Sequence, residues 1–276
     1  MNKTYCIAEI GINHNGDMNL AKELIDTAKN TGCDAVKFQK RTIEEVYTTE
    51  ELDKPRESPW GTTNRQQKEG LEFSMEEYKE LEAYSQNLGL DFIVSCWDMN
   101  SLKEVDEQLN VSHHKIASAM LTDKAFLEAL NETGKPIIVS TGMSSQEEVD
   151  KAMSILDNVT MILACTSTYP TKAEEINLTY IDTLKELYPT LKVGFSNHYS
   201  GVLACIGAVA FGAEVLEFHI TKDRTMYGSD QAASIEKVDH LMDGVRNLEK
   251  MIGDGVKVVY EGEKPIASKL RKNNTI

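Results

Sequence analysis

The sequence predicts an α/β chain folded as a single (β/α)8 TIM barrel, on three observations. Short apolar runs alternate eight times with longer helical patterns. Eight such units in 276 residues match a barrel that typically takes about 250. Polar residues recur where each apolar run ends, which is where barrels of this kind collect their functional groups. An open, doubly wound sheet shares the local pattern and is the alternative.

The strands are expected at 5–10, 35–39, 91–95, 114–117, 136–140, 160–165, 192–197 and 215–220. Helical patterns follow each in turn, at 19–31, 75–88, 100–109, 124–133, 145–156, 178–188, 201–211 and 235–252. Asn100, Thr122 and Ser144 stand near three of the helix starts as capping residues. The barrel is thus expected over 1–253, with 254–276 as a solvated C-terminal tail. Residues 40–73, with Pro55, Pro59, Trp60 and Gly61, are too long for an ordinary connection. They read as a functional loop over the barrel mouth or a mobile excursion.

Bulk properties narrow the function. Lys and Arg total 29 against 44 Asp and Glu, a formal charge of -15, which argues against nonspecific attraction to nucleic acid or an anionic membrane. Any anionic ligand must be caught by a local cluster of cations. Five scattered cysteines without a Cys-x-x-Cys pair suit a reducing compartment. No signal-peptide succession opens the chain, and no run approaches the roughly 18 apolar residues of a membrane span. A cytoplasmic protein is expected.

The strand ends carry the chemistry. The first strand gives Glu9; the second puts Lys37 and Gln39 on one face and Val36 and Phe38 on the other, because side chains alternate along a strand. The third ends at Ser95, the fourth at Lys115 and Ser118, the fifth at Ser140-Thr-Gly142, and the sixth runs Cys165-Thr-Ser-Thr-Tyr169. In the seventh, Gly194, Ser196 and His198 share a face, as do Val215, Glu217 and His219 in the eighth. Asp230 follows in a loop.

Each residue alone has a plain structural explanation. Ser140-Thr-Gly142 before a helix is commonly a turn and cap, and a lone strand histidine is commonly a hydrogen-bonded rim residue. Lys37 and Lys115 resist that explanation, because lysine is costly to bury unpaired. An anion between them would supply the missing partner. With hydroxyls from Ser95, Ser118, Ser140 and Ser196 they form a pocket suited to a phosphate or a phosphorylated carboxylic acid. Two neighbouring imidazoles suit Mn²⁺, Zn²⁺ or another divalent ion, and Glu9, beside the eighth strand once a barrel closes, can act as a base or bind a substrate hydroxyl.

These residues lie in segments that together resemble one family. Ala8-Glu-Ile-Gly-Ile-Asn-His-Asn-Gly16, Asp34-Ala-Val-Lys-Phe-Gln39, Lys115-Ile-Ala-Ser118, Ser140-Thr-Gly-Met143, Cys165-Thr-Ser-Thr-Tyr-Pro170, Gly194-Phe-Ser-Asn-His198 and Glu217-Phe-His219 run in order over nearly the whole chain. The series resembles the sialic acid (N-acetylneuraminate) synthase family. The resemblance implies condensation of phosphoenolpyruvate with N-acetylmannosamine or a related aldose, releasing phosphate and forming a 2-keto sugar acid. It implies that His198 and His219 hold a divalent metal, usually Mn²⁺, with Mg²⁺, Co²⁺ or Zn²⁺ as substitutes. Lys37, Lys115, Ser118, Ser140 and Ser196 would bind phosphoenolpyruvate, Glu9 would lie near the reacting carbons, and Gln39, Tyr169 and Asp230 would face the sugar.

Departures from the family pattern gather in three places. Ser95-Cys-Trp-Asp98 replaces a Ser-Thr-Pro-Phe type of motif, Ala117-Ser-Ala-Met120 a Gly-Ser-Gly-Glu type, and Ser167 an asparagine. Full-length members also carry a C-terminal antifreeze-like domain that contributes an arginine to the partner's sugar site, and this chain is expected to lack it. The family is commonly dimeric, so a homodimer is one implied assembly, and a separate chain completing the sugar site is another. Two other readings stand beside the leading one: condensation with a phosphorylated aldose, as in synthases of eight-carbon acids, and a catalytically idle paralogue serving as a binding or scaffold subunit.

Overall fold

Eight parallel strands close into a ring: β1 (Tyr5–Gly11), β2 (Ala35–Lys40), β3 (Asp91–Cys96), β4 (His113–Ile116), β5 (Ile137–Ser140), β6 (Val159–Cys165), β7 (Lys192–Asn197) and β8 (Val215–His219). β1 pairs with both β2 and β8, which excludes the open-sheet alternative. The computed structural model describes residues 3–271. All eight expected strands are present within a residue or two of their expected bounds.

The helices are α1 (Met18–Thr31), α2 (Met75–Asn87), α3 (Met99–Gln108), α4 (Lys124–Glu132), α5 (Gln146–Met153), α6 (Tyr180–Leu187), α7 (Leu203–Ala210) and α8 (Val238–Ile252). Their starts follow local chemistry. Asp17 caps α1 by accepting from the amides of Asn19 and Leu20, and Ser74 and Ser145 form capping boxes with Glu77 and Glu148 at α2 and α5. The expected caps Asn100, Thr122 and Ser144 are displaced: the capping side chains are Asp98, Asp123 and Ser145. At all three starts two polar residues compete within one turn, and the one whose oxygen reaches the third amide wins.

The strands show two faces. Outward residues such as Val36, Phe38, Phe92 and Val94 pack under the helices in the main apolar core, with the Phe38 and Phe92 rings 5.4 Å apart. Inward residues Ile7, Ala35, Ile93, Ile138, Leu163 and Val215 form a separate plug inside the barrel. This plug is the floor on which the polar strand ends rest.

The excursion at 40–73 is structured. It holds short helices at Ile43–Val46, Thr49–Leu52 and Asn64–Glu69, and a hairpin pairing Pro55–Ser58 with Gly61–Thr63. Trp60 meets Tyr227 of the loop after β8 edge-on at 5.5 Å, so the excursion is pinned across the mouth. Beyond Gly253, a helix at Glu263–Leu270 buries none of its residues, and residues 272–276 of the expected tail lie outside the described residues.

Candidate active site

Continuing each inward face by two residues lifts it from the apolar plug to a polar layer. Ile7 leads to Glu9, Ala35 to Lys37, Ile93 to Ser95, Ile138 to Ser140, Gly194 to Ser196 and Val215 to Glu217. Another step reaches the rim at Gln39, His198 and His219. The alternation built into a β-strand therefore stacks apolar floor, charged middle and rim.

Register decides which of these groups meet. Glu9 is level with Lys37 on one side and His219 on the other, while Ser196 is level with Glu217. Lys37 Nζ lies 2.8 Å from a Glu9 carboxylate oxygen and 3.7 Å from Glu217. Lys115 Nζ lies 3.9 Å from the other Glu217 oxygen and donates to Ser140 Oγ at 2.6 Å and the Ile116 carbonyl at 3.0 Å. Ser196 donates to Glu217 at 3.1 Å, and Gln39 Nε2 donates to Glu9 at 2.6 Å. The lysines thus have a partner from the chain itself, Glu217, where the sequence suggested an anion between them. Glu217 is the residue the sequence reading left out of the site, although its place on the His219 face was visible.

The cavity above this layer has a volume of about 120 Å³. Glu9, Lys37, Gln39, Ser95, Lys115 and Ser118 line it, as do Ser140, Ser167, Tyr169, Ser196, His198 and His219. Asp230 lies in the adjoining outer cavity, 3.6 Å from His219 Nδ1. All the expected site residues therefore converge. Ser95 uses its hydroxyl on the Lys115 carbonyl at 3.2 Å. Trp97, also unassigned by sequence, lines both cavities.

Two glycines keep the site open. Gly11, at φ +55° beside the register shift in β1, has Gln39 Nε2 and a Glu9 oxygen each 3.1 Å from where a Cβ would stand. At Gly142 the Ser167 and Ser118 hydroxyls would lie 2.2 and 2.7 Å from such a Cβ, so a bare backbone lets them close in.

Burial and charge compete in the polar layer. Burial works against charge on Lys37, but the Glu217 and Glu9 carboxylates overcome it and hold the ammonium above its ordinary pKa. Lys115 goes the other way: burial, only partly offset by Glu217, lowers it. Burial favours a neutral Glu217, yet Lys115 and Lys37 hold its carboxyl well below the usual range. Burial lowers the pKa of the His219 imidazole, which favours the neutral ring with one nitrogen carrying a free lone pair.

The rim offers donors for a cation. The His198 and His219 rings are 5.4 Å apart. His198 Nδ1 sits 2.8 Å from the Thr166 carbonyl, which assigns the proton to Nδ1 and leaves Nε2 as the lone-pair donor. His219 Nδ1 is buried without a hydrogen-bond partner. Among the described residues no group of three or more His, Cys, Asp or Glu is arranged to hold a metal ion; the rim presents the two imidazoles, with Asp230 beside His219.

This layered barrel mouth belongs to a known family, whose sequence profile, the NeuB family, matches residues 24–257. The chain belongs to the NeuB family. This NeuB chain is 37% identical over 276 residues to the N-acetylneuraminate-9-phosphate synthase of Mus musculus, covering 98% of this chain and 77% of that one. It is 34% identical over 285 residues to the N,N'-diacetyllegionaminic acid synthase of Campylobacter jejuni, covering 99% and 84%. Among solved structures, the N-acetylneuraminic acid (sialic acid) synthetase from Leptospira borgpetersenii in complex with citrate superposes with a TM-score of 0.83 at 31% identity, covering 99% of this NeuB chain and 94% of that one. A truncated 3-deoxy-D-arabino-heptulosonate 7-phosphate synthase from Thermotoga maritima, 12% identical with a TM-score of 0.64, shares the fold. No helix among the described residues is long and apolar enough to cross a membrane.

Proposed function

We propose that the chain condenses phosphoenolpyruvate with an aldose of the N-acetylmannosamine kind, releasing phosphate and forming a sialic-acid-type 2-keto sugar acid, with Mn²⁺ or another divalent ion bound at His198 and His219. The observation that carries this reading is the pair of buried lysines, both within 4 Å of Glu217 and Lys37 also paired with Glu9, below two adjacent imidazoles. The synthases among the relatives named above support the reaction class.

Lys37, Lys115 and the hydroxyls of Ser118, Ser140 and Ser196 hold the carboxylate and phosphate of phosphoenolpyruvate in a site walled off from water. A divalent ion at the histidines supplies Lewis acidity to a carbonyl oxygen. Gln39, Tyr169 and Asp230 orient the sugar so that its aldehyde faces C3 of phosphoenolpyruvate. A C–C bond forms from C3 to the aldehyde carbon, and the aldehyde oxygen takes up a proton to become a hydroxyl. Water adds at C2, Glu9 accepting its proton or positioning it. The C2–O bond to phosphate then breaks, leaving the ketone and inorganic phosphate. A cytoplasmic setting belongs to the same reading and is supported by five free cysteines.

The test is incubation of Mn²⁺-loaded protein with phosphoenolpyruvate and a panel of aldoses, reading phosphate and product mass. Phosphate release is expected to require both aldose and metal and to vanish in His219→Ala. Absence of release with every aldose of a broad panel overturns the reading.

A further inference from the structure

Arg41 follows closely on Gln39 at the root of the excursion, in no segment that carries the family resemblance, and the reaction above gives it no task. Its side chain is only 10% exposed and is held from several directions. The guanidinium stacks on the Trp97 ring at 4.2 Å, Nη1 lies 3.6 Å from a Glu72 oxygen, and Nη2 donates to the side-chain oxygen of Gln39. Glu72 is fixed in turn, because its other oxygen accepts from the Arg41 backbone amide at 3.2 Å. The Gln39 backbone is fixed as well, its carbonyl accepting from the Tyr78 hydroxyl at 2.6 Å. Glu72 and Trp97 suffice to anchor an arginine at this place. The bond to Gln39 is a further contact, and it leads into the inner cavity, which Gln39 lines.

A primary amide is nearly symmetric in shape, so its surroundings decide which end carries the oxygen. Arginine has donors and no acceptor, and the end of the Gln39 amide that faces Arg41 must therefore be the oxygen. The NH2 end is thereby turned to Glu9, to which Nε2 donates at 2.6 Å. The opposite orientation would set NH2 against the guanidinium and an oxygen against a carboxylate, losing both charge-assisted bonds. With the amide so fixed, Glu9 has one oxygen bound by Gln39 and the other 2.8 Å from Lys37 Nζ, so its carboxylate is set from both ends. Acceptor and donor alternate at every step from Glu72 through Arg41, Gln39 and Glu9 to Lys37.

We infer that Arg41 is a positioning residue for the condensation: it fixes the Gln39 amide with its NH2 group inward, so that one N–H holds Glu9 toward the reacting carbons and the other is presented to an oxygen of the acceptor aldose. The inference rests on the reaction proposed above and adds a residue to its machinery. Arg41 touches neither substrate and acts through Gln39. Its contribution is to hold a donor and a carboxylate in one arrangement before the aldose arrives, which removes the need to order them during the reaction. Lysine in its place would supply a cation for Glu72 but not a planar fork that meets a carboxylate, an amide oxygen and an aromatic face together.

The experiment is a double-substitution cycle on the Mn²⁺-loaded protein with Arg41→Met, Gln39→Leu and the pair, read as kcat/KM for the aldose. Arg41→Met is expected to lower it at least about tenfold, the scale of one charge-assisted hydrogen bond. Because Arg41 acts through Gln39, the double variant is expected to be no worse than Gln39→Leu alone, whereas an arginine that only supports the fold gives losses that multiply. Arg41→Met leaves Glu72 buried without its cation, so Arg41→Met with Glu72→Gln is the second variant, its fold checked by thermal melting. A further readout needs no turnover. In protein isotopically labelled at the glutamine side-chain nitrogens, the Gln39 Nε2 resonance is identified by its absence in Gln39→Leu. Hydrogen exchange of its protons is expected to quicken at least about tenfold in both Arg41 variants. Unchanged exchange, or losses that multiply in the cycle, overturns the inference. If exchange quickens but the parent releases no phosphate with any aldose, the condensation fails and the fixing of Gln39 and Glu9 by Arg41 stands.

Discussion

Replacing Glu217 by glutamine keeps the shape of the side chain and removes the charge that lies between Lys37 and Lys115. Lys37 retains Glu9 at 2.8 Å, so the loss falls on Lys115, whose remaining partners, Ser140 Oγ and the Ile116 carbonyl, are neutral. Breaking a buried ion pair from one side costs about 3–5 kcal/mol, and these two neutral bonds place the expected cost near the lower end, about 3 kcal/mol. For a domain of this size each kcal/mol moves Tm by about 2–4 °C, so a fall of about 6–12 °C is expected at pH 7. Loss of the carboxylate lowers the Lys115 pKa further. A lysine depressed in the folded state releases its proton on folding, so its stability contribution is present at high pH and lost as pH falls below 10.5. The deficit against the parent should therefore narrow between pH 7 and pH 9. Inorganic phosphate should raise the Tm of the variant more than that of the parent, because it meets two cations with one less competing carboxylate. Calorimetric melting at both pH values, with and without phosphate, checks each step. A variant melting within about 2 °C of the parent, or gaining no more from phosphate than the parent does, refutes the assignment of Glu217 as the shared counter-ion.

Other consequences are equally direct. His14, stacked on Phe73 at 4.2 Å and accepting from the Gly16 amide at 3.0 Å, is pushed down by burial to a pKa of about 3. With the folded value below the unfolded one, stability present above pH 6.5 is lost as pH falls towards 3, at about 1.4 kcal/mol per unit. Urea melts of the parent and His14→Phe at pH 6.5 and 4.5 should show the parent losing about 2 kcal/mol more than the variant; parallel losses contradict a buried neutral imidazole. Gly11→Ala combines a strained φ of +55° with a Cβ pressed on Gln39 and Glu9. It should cost about 1–3 kcal/mol and lower turnover, and full activity in the phosphate-release assay would show that the Glu9–Gln39 contact is dispensable. Asp98→Ala removes bonds of 2.7 Å each to the Ser101 amide, the Ser101 hydroxyl and the Thr42 amide, so it releases both the start of α3 and the root of the excursion. Thermal melting should report a loss of about 2–3 kcal/mol, and hydrogen exchange should rise at Thr42.

The barrel was legible because its signals are local. Successive side chains of a strand point to opposite faces, so Val36 and Phe38 against Lys37 and Gln39 declare two faces without any knowledge of neighbours. Eight such runs separated by helical patterns leave little room for another topology. The same alternation exposed Lys37, Lys115, His198 and His219, since a charged or metal-ligating side chain inside an apolar run has few structural excuses. Helix starts were less legible: Asp98, Asp123 and Ser145 cap where Asn100, Thr122 and Ser144 were expected, because reach to an amide is set by backbone path and not by composition.

Pairing across strands and between distant loops was decided only in three dimensions. Sequence placed Glu217 on the His219 face, but its partnership with both lysines depends on the register of β8 against β7 and β1, which no single strand encodes. The excursion was legible as a long segment, a loop over the mouth or a mobile excursion, but its internal structure was not: its helices of four to six residues are too short for propensity to define them, and packing of Trp60 on Tyr227 sets their place. That packing brings Arg41, Arg56, Gln67 and Lys68 to one cavity. The sequence by itself therefore determined the barrel and the ends of its strands, since those follow from local periodicity. The tertiary structure decided which charges neutralise one another and which are left facing a cavity, since that depends on distances between residues far apart in the chain.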